Sequence, residues 1–272
     1  MGRMTEILET NGARIAYDTA GTGEPVVLIH AGVANRRMWD DQVTALKDGY
    51  RLIRYDTRGF GETETDAVEF SNRADIAALL DEVGEKAAHV VGLSRGGQIA
   101  LDFALEYPAR VRSLTVAAGG VSGFDAPEEA DPAIFEEPEA AWKARDWAAV
   151  SEWETRYWVD GPGQPVDRVD PALRARVHGW ILTTYEAEKE EGTPRPLDPP
   201  ANARLGDLRA PLLVMIGTLD DPGTRGSMRY LAERVPGARL EVFEGVAHMI
   251  NLEQPQRFNQ VLRQFLDEVS GR

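Results

Sequence analysis

Residues 89–108 read HVVGLSRGGQIALDFALEYP, and they place one serine between two glycines where one sequence pattern gives way to another. The run HVVGLS is short and rich in β-branched residues, which favours a buried strand. The residues after it carry apolar side chains at helical spacing up to Pro108, which cannot continue a helix. The sequence therefore predicts a sharp strand-to-helix turn that presents Ser94.

Short apolar, β-branched runs recur along the chain and alternate with helical patterns. They are EPVVLIHA (24–31), YRLIRYDT (50–57), VRSLTVAA (111–118), PLLVMIGT (211–218) and RLEVFEG (239–245). Runs that are apolar at consecutive positions suit strands buried on both faces. Before them, the pair Asn11-Gly12 predicts the turn of an antiparallel hairpin. We therefore expect an α/β fold with a mostly parallel central sheet and helices on both of its faces.

This alternation stops after the run at 111–118. The segment that follows holds five of the six tryptophans, namely Trp142, Trp147, Trp153, Trp158 and Trp180. Its first part, 125–139, is acidic and is expected to face solvent, and the rest has a helical pattern. We interpret the segment as a helical lid. The predicted domains are a core of residues 1–120 and 205–272 and a lid insertion of residues 121–204.

Composition and charge restrict the partners. The chain has 272 residues, 45 of them acidic and 30 basic, so its formal net charge is −15, which repels nucleic acid and anionic membranes. It has no cysteine, which excludes disulfides and thiolate metal ligands. No apolar run approaches the roughly 20 residues that span a bilayer, and the first residues lack the core of a signal peptide. We expect a cytoplasmic protein that binds neither nucleic acid nor membranes.

A serine hydroxyl becomes a good nucleophile only beside a general base, and the chain has four histidines. His89 begins the strand that leads to Ser94, at the far end of that strand. His178 lies in the predicted lid, and His30 ends a predicted strand and suits a role in positioning a loop. His248 follows the last predicted strand, at the edge where the carboxyl ends of parallel strands meet. It is the preferred base.

A carboxylate must hold the imidazole of such a base in the right tautomer. Asp220 is the first choice because it lies just beyond Gly217, at the end of a buried strand. Asp221 precedes Pro222 and suits a role in the turn, and Asp125 is a further alternative. The resulting chain order of Ser, Asp and His is the order found in one particular fold.

Five motifs, taken in order, resemble the α/β-hydrolase fold family and, within it, the bacterial esterase and enol-lactonase-like branch. They are IHAGVANRRMW, YDTRGFGET, GLSRGG, GTLDDP and GVAHMINLEQP, and the resemblance runs from about residue 5 to residue 269. It implies Ser94 as the nucleophile, Asp220 as the acid and His248 as the base. It does not indicate the substrate, because the same fold carries many hydrolytic reactions.

The resemblance also implies an oxyanion hole, formed by the backbone amides of Gly32 and Arg95. The chain has His30-Ala31 where many relatives have His-Gly, so Val33 stays an alternative donor to Gly32. A substrate pocket is expected along the side chains of Trp142, Trp153, Trp158 and Val33. The side chains of Arg95, Arg36 and Arg37 are alternatives for holding a substrate carboxylate.

We therefore predict a serine hydrolase that cleaves carboxylic esters or lactones of small, mainly uncharged substrates through an acyl-enzyme, with no metal or organic cofactor. Two alternatives stay open. One is a small-molecule receptor or regulatory protein on the same fold with little turnover, and the other is a perhydrolase that uses peroxide in place of water. The natural substrate and the oligomeric state are not indicated.

Overall fold

A central sheet organises the computed structural model, which describes residues 5–125 and 136–272. Its strands are β1 (Glu6–Thr10), β2 (Ala13–Ala20), β3 (Glu24–Ile29), β4 (Tyr50–Tyr55), β5 (Glu64–Thr65), β7 (Ala88–Leu93), β8 (Val111–Ala117), β10 (Leu212–Gly217) and β11 (Arg239–Phe243). Two further strands, β6 (Glu69–Phe70) and β9 (Thr193–Pro194), pair with each other. The helices are α1 (Asp40–Leu46), α2 (Asn72–Glu82), α3 (Arg95–Glu106), α4 (Glu136–Ala144), α5 (Trp147–Glu154), α6 (Pro171–Ala187), α7 (Pro222–Arg234), α8 (Ile250–Glu253) and α9 (Pro255–Ser270).

The strand order is β1-β2-β4-β3-β7-β8-β10-β11, with β5 paired to β2. Strand β2 pairs antiparallel with β1, β4 and β5, and the strands from β4 to β11 along this path run parallel. The mostly parallel sheet is therefore confirmed. So is the hairpin, because β1 and β2 pair around Asn11 and Gly12, which have φ of 34° and 69°.

The central strands of the sheet are buried on both faces, and β3 shows how their residues divide. Val26 and Leu28 pack with helices α1 and α9, whereas Val27 and Ile29 pack with α2, α3 and α7 on the opposite face. Successive side chains of a strand point to opposite faces, so a strand between two helical layers is apolar at most consecutive positions. This accounts for the continuous apolar runs in the sequence.

Between β8 and β10 the chain leaves the sheet and forms helices α4, α5 and α6. Helix α5 continues directly into a π-helical stretch, Thr155–Asp160. Most of residues 136–187 are helical, as their pattern predicts, whereas residues 188–200 contain β9 and irregular backbone. The domain boundaries and the role of a lid stay predictions. Residues 126–135 lie outside the described residues, and so does most of the acidic stretch that we expect to face solvent.

Ser94 alone connects β7 to α3. Its φ of 56° and ψ of −122° lie in a region that residues with a side chain rarely adopt. The turn is tight because two glycines permit close backbone contacts. A Cβ added to Gly92 would lie 2.0 Å from the carbonyl oxygen of Gly96, and one added to Gly96 would lie 2.3 Å from that of Ile29. The predicted sharp turn is present at the predicted position.

These contacts generate a stability prediction. Gly92→Ala should lower the free energy of unfolding by about 2 kcal/mol or more, because backbone atoms cannot move aside as a side chain can. Gly179→Ala on α6 is the matched control, since a Cβ there meets no atom within 4 Å. The control should be neutral or stabilising by up to about 1 kcal/mol. Urea denaturation measures both variants, and equal stabilities would contradict the argument.

Candidate active site

The carboxyl ends of three parallel strands carry the three residues predicted to act together. Ser94 follows β7, Asp220 lies on the loop after β10, and His248 lies on the loop after β11. Asp220 and His248 are each 3% exposed, and Ser94 is half-buried. Since parallel strands end at the same edge of a sheet, these loops form one rim.

The imidazole of His248 is held by a carboxylate. Its Nδ1 lies 2.8 Å from Oδ1 and 3.0 Å from Oδ2 of Asp220. Because a carboxylate only accepts hydrogen bonds, Nδ1 carries the proton and Nε2 keeps its lone pair. The backbone N–H of Asp221 donates to the same Oδ1 at 2.7 Å and fixes the carboxylate in turn. This arrangement leaves Nε2 as a base.

The two alternative carboxylates lie elsewhere. Asp221 caps helix α7, accepting from the N–H of Thr224 at 2.8 Å, and it also accepts from Tyr157 Oη at 2.5 Å. A cap before a proline at the first helical position matches the turn role that its sequence context predicts. Asp125 is exposed. Of the three candidates, Asp220 is the one that the structure brings to His248.

The helical insertion contacts the loop that carries His248. The ring of Trp158 lies 4.5 Å from the imidazole ring, centroid to centroid. Before the histidine, the N–H of Ala247 donates to Glu253 Oε1 at 2.8 Å, and Glu253 forms an ion pair with Arg168 of the insertion. Trp158, predicted as a pocket residue, therefore lies against the candidate base.

Gly32 and Arg95, the predicted oxyanion donors, are neighbours. The Cβ and Cδ atoms of Arg95 lie 3.8 and 3.7 Å from the position that a Cβ on Gly32 would take. Arg95 is the first residue of α3, so its N–H has no partner within the helix and lies at the positive end of the helix dipole. The alternative donor Val33 packs its side chain into the apolar core, where it is 8% exposed.

A buried relay of hydrogen bonds connects Arg95 to the loop that precedes Gly32. Nη1 of Arg95 donates to Thr57 Oγ1 at 2.6 Å. His30 Nε2 accepts from the N–H of Thr57 at 2.9 Å and lies 3.1 Å from Oγ1. His30 Nδ1 lies 2.7 Å from the carbonyl oxygen of Ala31 and donates to it. His30 thus positions this loop. Thr57 was not predicted as a site residue, because nothing in the motif YDTRGFG marks it as a partner of Arg95.

The arginines considered for a substrate carboxylate are engaged in the protein. Arg36 is buried and forms ion pairs with Asp18 and Asp56, so the alternative that it binds substrate is wrong. Arg37 is exposed and lies 3.9 Å from a carboxylate oxygen of Glu62. Neither residue offers a buried, unpaired guanidinium.

Arg95 has a different environment. Its guanidinium lies 4.9 Å from the ring centroid of Phe60, and burial lowers its pKa. It lines a small cavity of about 280 Å³ together with Arg73 and Arg195. This cavity differs from the one that reaches Gly32, which measures about 610 Å³.

The cavity of about 610 Å³ lies beside the candidate oxyanion loop. We call it the aromatic cavity, after the rings that line it. Its lining residues are Gly32, Gly59, Phe60, Trp142, Arg145, Trp147, Glu154, Ile181, Thr184, Tyr185, Glu188, Lys189 and Glu191. Of the predicted pocket tryptophans, Trp142 belongs to it, whereas Trp153 stacks on Tyr157 with their ring centroids 4.9 Å apart.

Within residues 5–125 and 136–272, no group of three or more histidine, aspartate or glutamate side chains is arranged to hold a metal ion. Over the same residues, every helix is too short or too polar to cross a bilayer.

Residues 26–261 match the alpha/beta hydrolase family, and the chain belongs to that family. It is 30% identical to a 2-hydroxy-6-oxononadienedioate/2-hydroxy-6-oxononatrienedioate hydrolase of Burkholderia vietnamiensis, over 93% of this chain and 91% of that protein. It is 27% identical to 3-oxoadipate enol-lactonase 2 of Acinetobacter baylyi, over 94% of each. A thermophilic esterase from Thermogutta terrifontis superposes with a TM-score of 0.76 at 25% identity, over 99% of both chains. These similar proteins are hydrolases, and the predicted esterase and enol-lactonase-like resemblance is confirmed.

The relay predicts a pH dependence of stability. Burial lowers the pKa of His30 from 6.5 to about 4. Between these values the unfolded chain binds a proton that the folded chain does not, so the stability present at pH 7 is lost as the pH falls. Between pH 7 and pH 5 this loss should be about 2 kcal/mol. In His30→Asn the difference in urea stability between the two pH values should shrink by that amount.

The matched control is His178→Asn, which removes a half-buried histidine of α6 outside the relay. It should leave the difference between pH 7 and pH 5 as it is in the wild type. An unchanged difference in His30→Asn would show that His30 does not carry this dependence.

Proposed function

We propose that the protein is a serine hydrolase that cleaves carboxylic esters or lactones of small, mainly uncharged substrates through an acyl-enzyme. The observation that carries the proposal is the Asp220–His248 pair on the same rim as Ser94, whose backbone conformation is strained. Strain of this kind concentrates at functional sites. Membership of a family whose similar proteins include an enol-lactonase and an esterase supports the same reaction class.

In the proposed mechanism, Ser94 Oγ attacks the carbonyl carbon while His248 Nε2 takes the hydroxyl proton. Asp220 stabilises the imidazolium that forms. The amides of Gly32 and Arg95 donate to the oxyanion of the tetrahedral intermediate. The intermediate collapses to an acyl-enzyme as His248 returns the proton to the leaving oxygen. Water, deprotonated by the same nitrogen, then attacks the acyl carbon. The bond to Ser94 Oγ breaks, and that oxygen takes the proton back from His248 as the acid leaves.

The preference for uncharged substrates rests on charge and on the aromatic cavity. The formal net charge of −15 creates an unfavourable long-range potential for anions. The wall of that cavity holds three acidic and two basic side chains beside the rings of Phe60 and Trp142. Such a wall can bury apolar groups of a substrate, and its excess of acidic side chains disfavours a substrate that carries a carboxylate. We keep a cytoplasmic location as a prediction of the sequence.

We also propose that the helical insertion serves as a lid over this rim. Two contacts support it, since Trp158 lies against His248 and Tyr157 donates to Asp221. A lid excludes water from the site and strengthens the interactions that stabilise the transition state.

Ser94→Ala should abolish hydrolysis of p-nitrophenyl acetate and butyrate. Removal of a triad nucleophile lowers kcat by roughly 10⁴- to 10⁶-fold, while the free energy of unfolding should change by about 1 kcal/mol or less. A fluorophosphonate should label the wild type at Ser94, as read by mass spectrometry. A variant rate within about tenfold of wild type would end the serine mechanism, and absence of turnover in the wild type would favour the receptor alternative.

Asp220→Asn should lower kcat by roughly 10³- to 10⁴-fold, because an amide no longer holds the proton on Nδ1 of His248 or stabilises the imidazolium. Asp221→Asn is the matched control. Asparagine still caps helix α7, so its effect should stay within about tenfold. Steady-state kinetics on p-nitrophenyl butyrate measures both variants. A larger loss of kcat in Asp221→Asn than in Asp220→Asn would identify Asp221 as the carboxylate that assists His248. A large loss in Asp125→Asn would identify Asp125 instead.

A further inference from the structure

The aromatic cavity contains one half-buried carboxyl group that has no cationic partner among the described residues. Glu154, the last residue of α5, is half-buried, and its Oε1 accepts a hydrogen bond from Tyr185 Oη at 2.5 Å. No Arg or Lys of residues 5–125 and 136–272 forms an ion pair with it. A carboxylate offers about four acceptor positions, and Tyr185 is the one partner that Glu154 has among the described residues. Burial raises the pKa of Glu154, as expected for a charge without compensation.

Three other charged residues of this cavity, Arg145, Glu188 and Lys189, have partners. Glu188 forms an ion pair with Arg145. Lys189 Nζ donates to the carbonyl oxygens of Gly61 at 2.7 Å and Thr63 at 3.1 Å. Glu191, which also lines the cavity, is exposed to solvent. Glu154 therefore differs from its neighbours, because it is half-buried and no cation of the described residues pairs with it.

The walls around Glu154 suit a cation. The rings of Trp142, Trp147 and Tyr185 are in mutual contact, with centroids 5.2 to 5.6 Å apart, and Phe60 adds a fourth ring. Aromatic faces attract ammonium groups, and they do so most strongly where water is excluded. An ammonium group also brings three donors, which match the unused acceptor positions of a carboxylate.

We propose that the aromatic cavity binds a primary ammonium group of the substrate, with Glu154 as the specificity-determining residue. The inference rests on the serine-hydrolase reaction of the proposed function, and it replaces the preference for uncharged substrates with esters or lactones that carry a cationic aliphatic amine away from the scissile bond. The ammonium group donates to Glu154, and its alkyl or aryl chain packs on the aromatic rings. Carboxylates are rejected by the same charge.

The test uses three ligands of similar shape that are not esters: 2-phenylethylammonium, 2-phenylethanol and 3-phenylpropionate. Their dissociation constants come from the fluorescence of the tryptophans in the wall. In the wild type the amine should bind at least about tenfold tighter than the alcohol, and the carboxylate should bind weakest. Glu154→Gln keeps an oxygen that accepts from Tyr185 and removes only the charge, so the preference for the amine should fall to about twofold or less.

Two controls separate charge from structure. Tyr185→Phe removes the hydrogen bond and keeps the charge of Glu154, and Glu188→Gln removes a carboxylate that already has a partner. Both should keep the preference for the amine. The inference is overturned if wild type binds amine and alcohol equally, if Glu154→Gln weakens all three ligands alike, or if Glu188→Gln abolishes the preference.

A second measurement places the site relative to catalysis. The amine should inhibit hydrolysis of p-nitrophenyl butyrate competitively in the wild type, and purely noncompetitive inhibition would overturn its role in substrate binding. Because binding is measured with ligands that contain no ester, it does not depend on Ser94. If the protein binds the amine but hydrolyses no ester, the proposed function fails while the ammonium site stands.

Discussion

The close approach of two backbone segments at Gly92 and Gly96 is the constraint on which the candidate site depends. The first turn of α3 lies against the end of β7 and against the carbonyl of Ile29 on β3, so a methyl group on either glycine meets backbone. Because of this contact, Ser94 is the single residue between β7 and α3, and it adopts a strained backbone conformation. The strain is maintained because the sheet and α3 are packed on both sides of the turn.

Buried ion pairs hold the loops at the carboxyl edge of the sheet. Charged side chains that are paired in this way are structural, whereas a buried charge without a partner is a candidate functional group. Arg36 pairs with Asp18 and Asp56, and Arg54 also pairs with Asp18 at 2.8 Å. Breaking such a pair leaves a buried charge without compensation, which is strongly destabilising. Glu154 departs from this pattern, because its charge faces a cavity and not a cation. This departure is the reason for assigning it to a ligand.

The helical insertion is connected to the candidate machinery through several independent contacts. Trp158 meets the imidazole, Arg168 pairs with the carboxylate that orients the loop before His248, and Tyr157 donates to the residue after Asp220. A change in the position of these helices therefore changes the surroundings of the proposed base. In the proposed function, the insertion that lines the aromatic cavity therefore also contacts the proposed base.

The sequence by itself determined the sheet, the hairpin at Asn11-Gly12 and the turn at Ser94, because burial on two faces, left-handed turn residues and close backbone contact each leave a local pattern. It also indicated Asp220 and His248 from their places after strands. Only the tertiary structure decided the relay through Thr57, the pairing of Arg36 and the exposure of Glu154 to a cavity. These three features depend on contacts between side chains that are far apart in the chain. The packing of loops and helices brings those side chains together, and no local pattern of the sequence encodes such contacts.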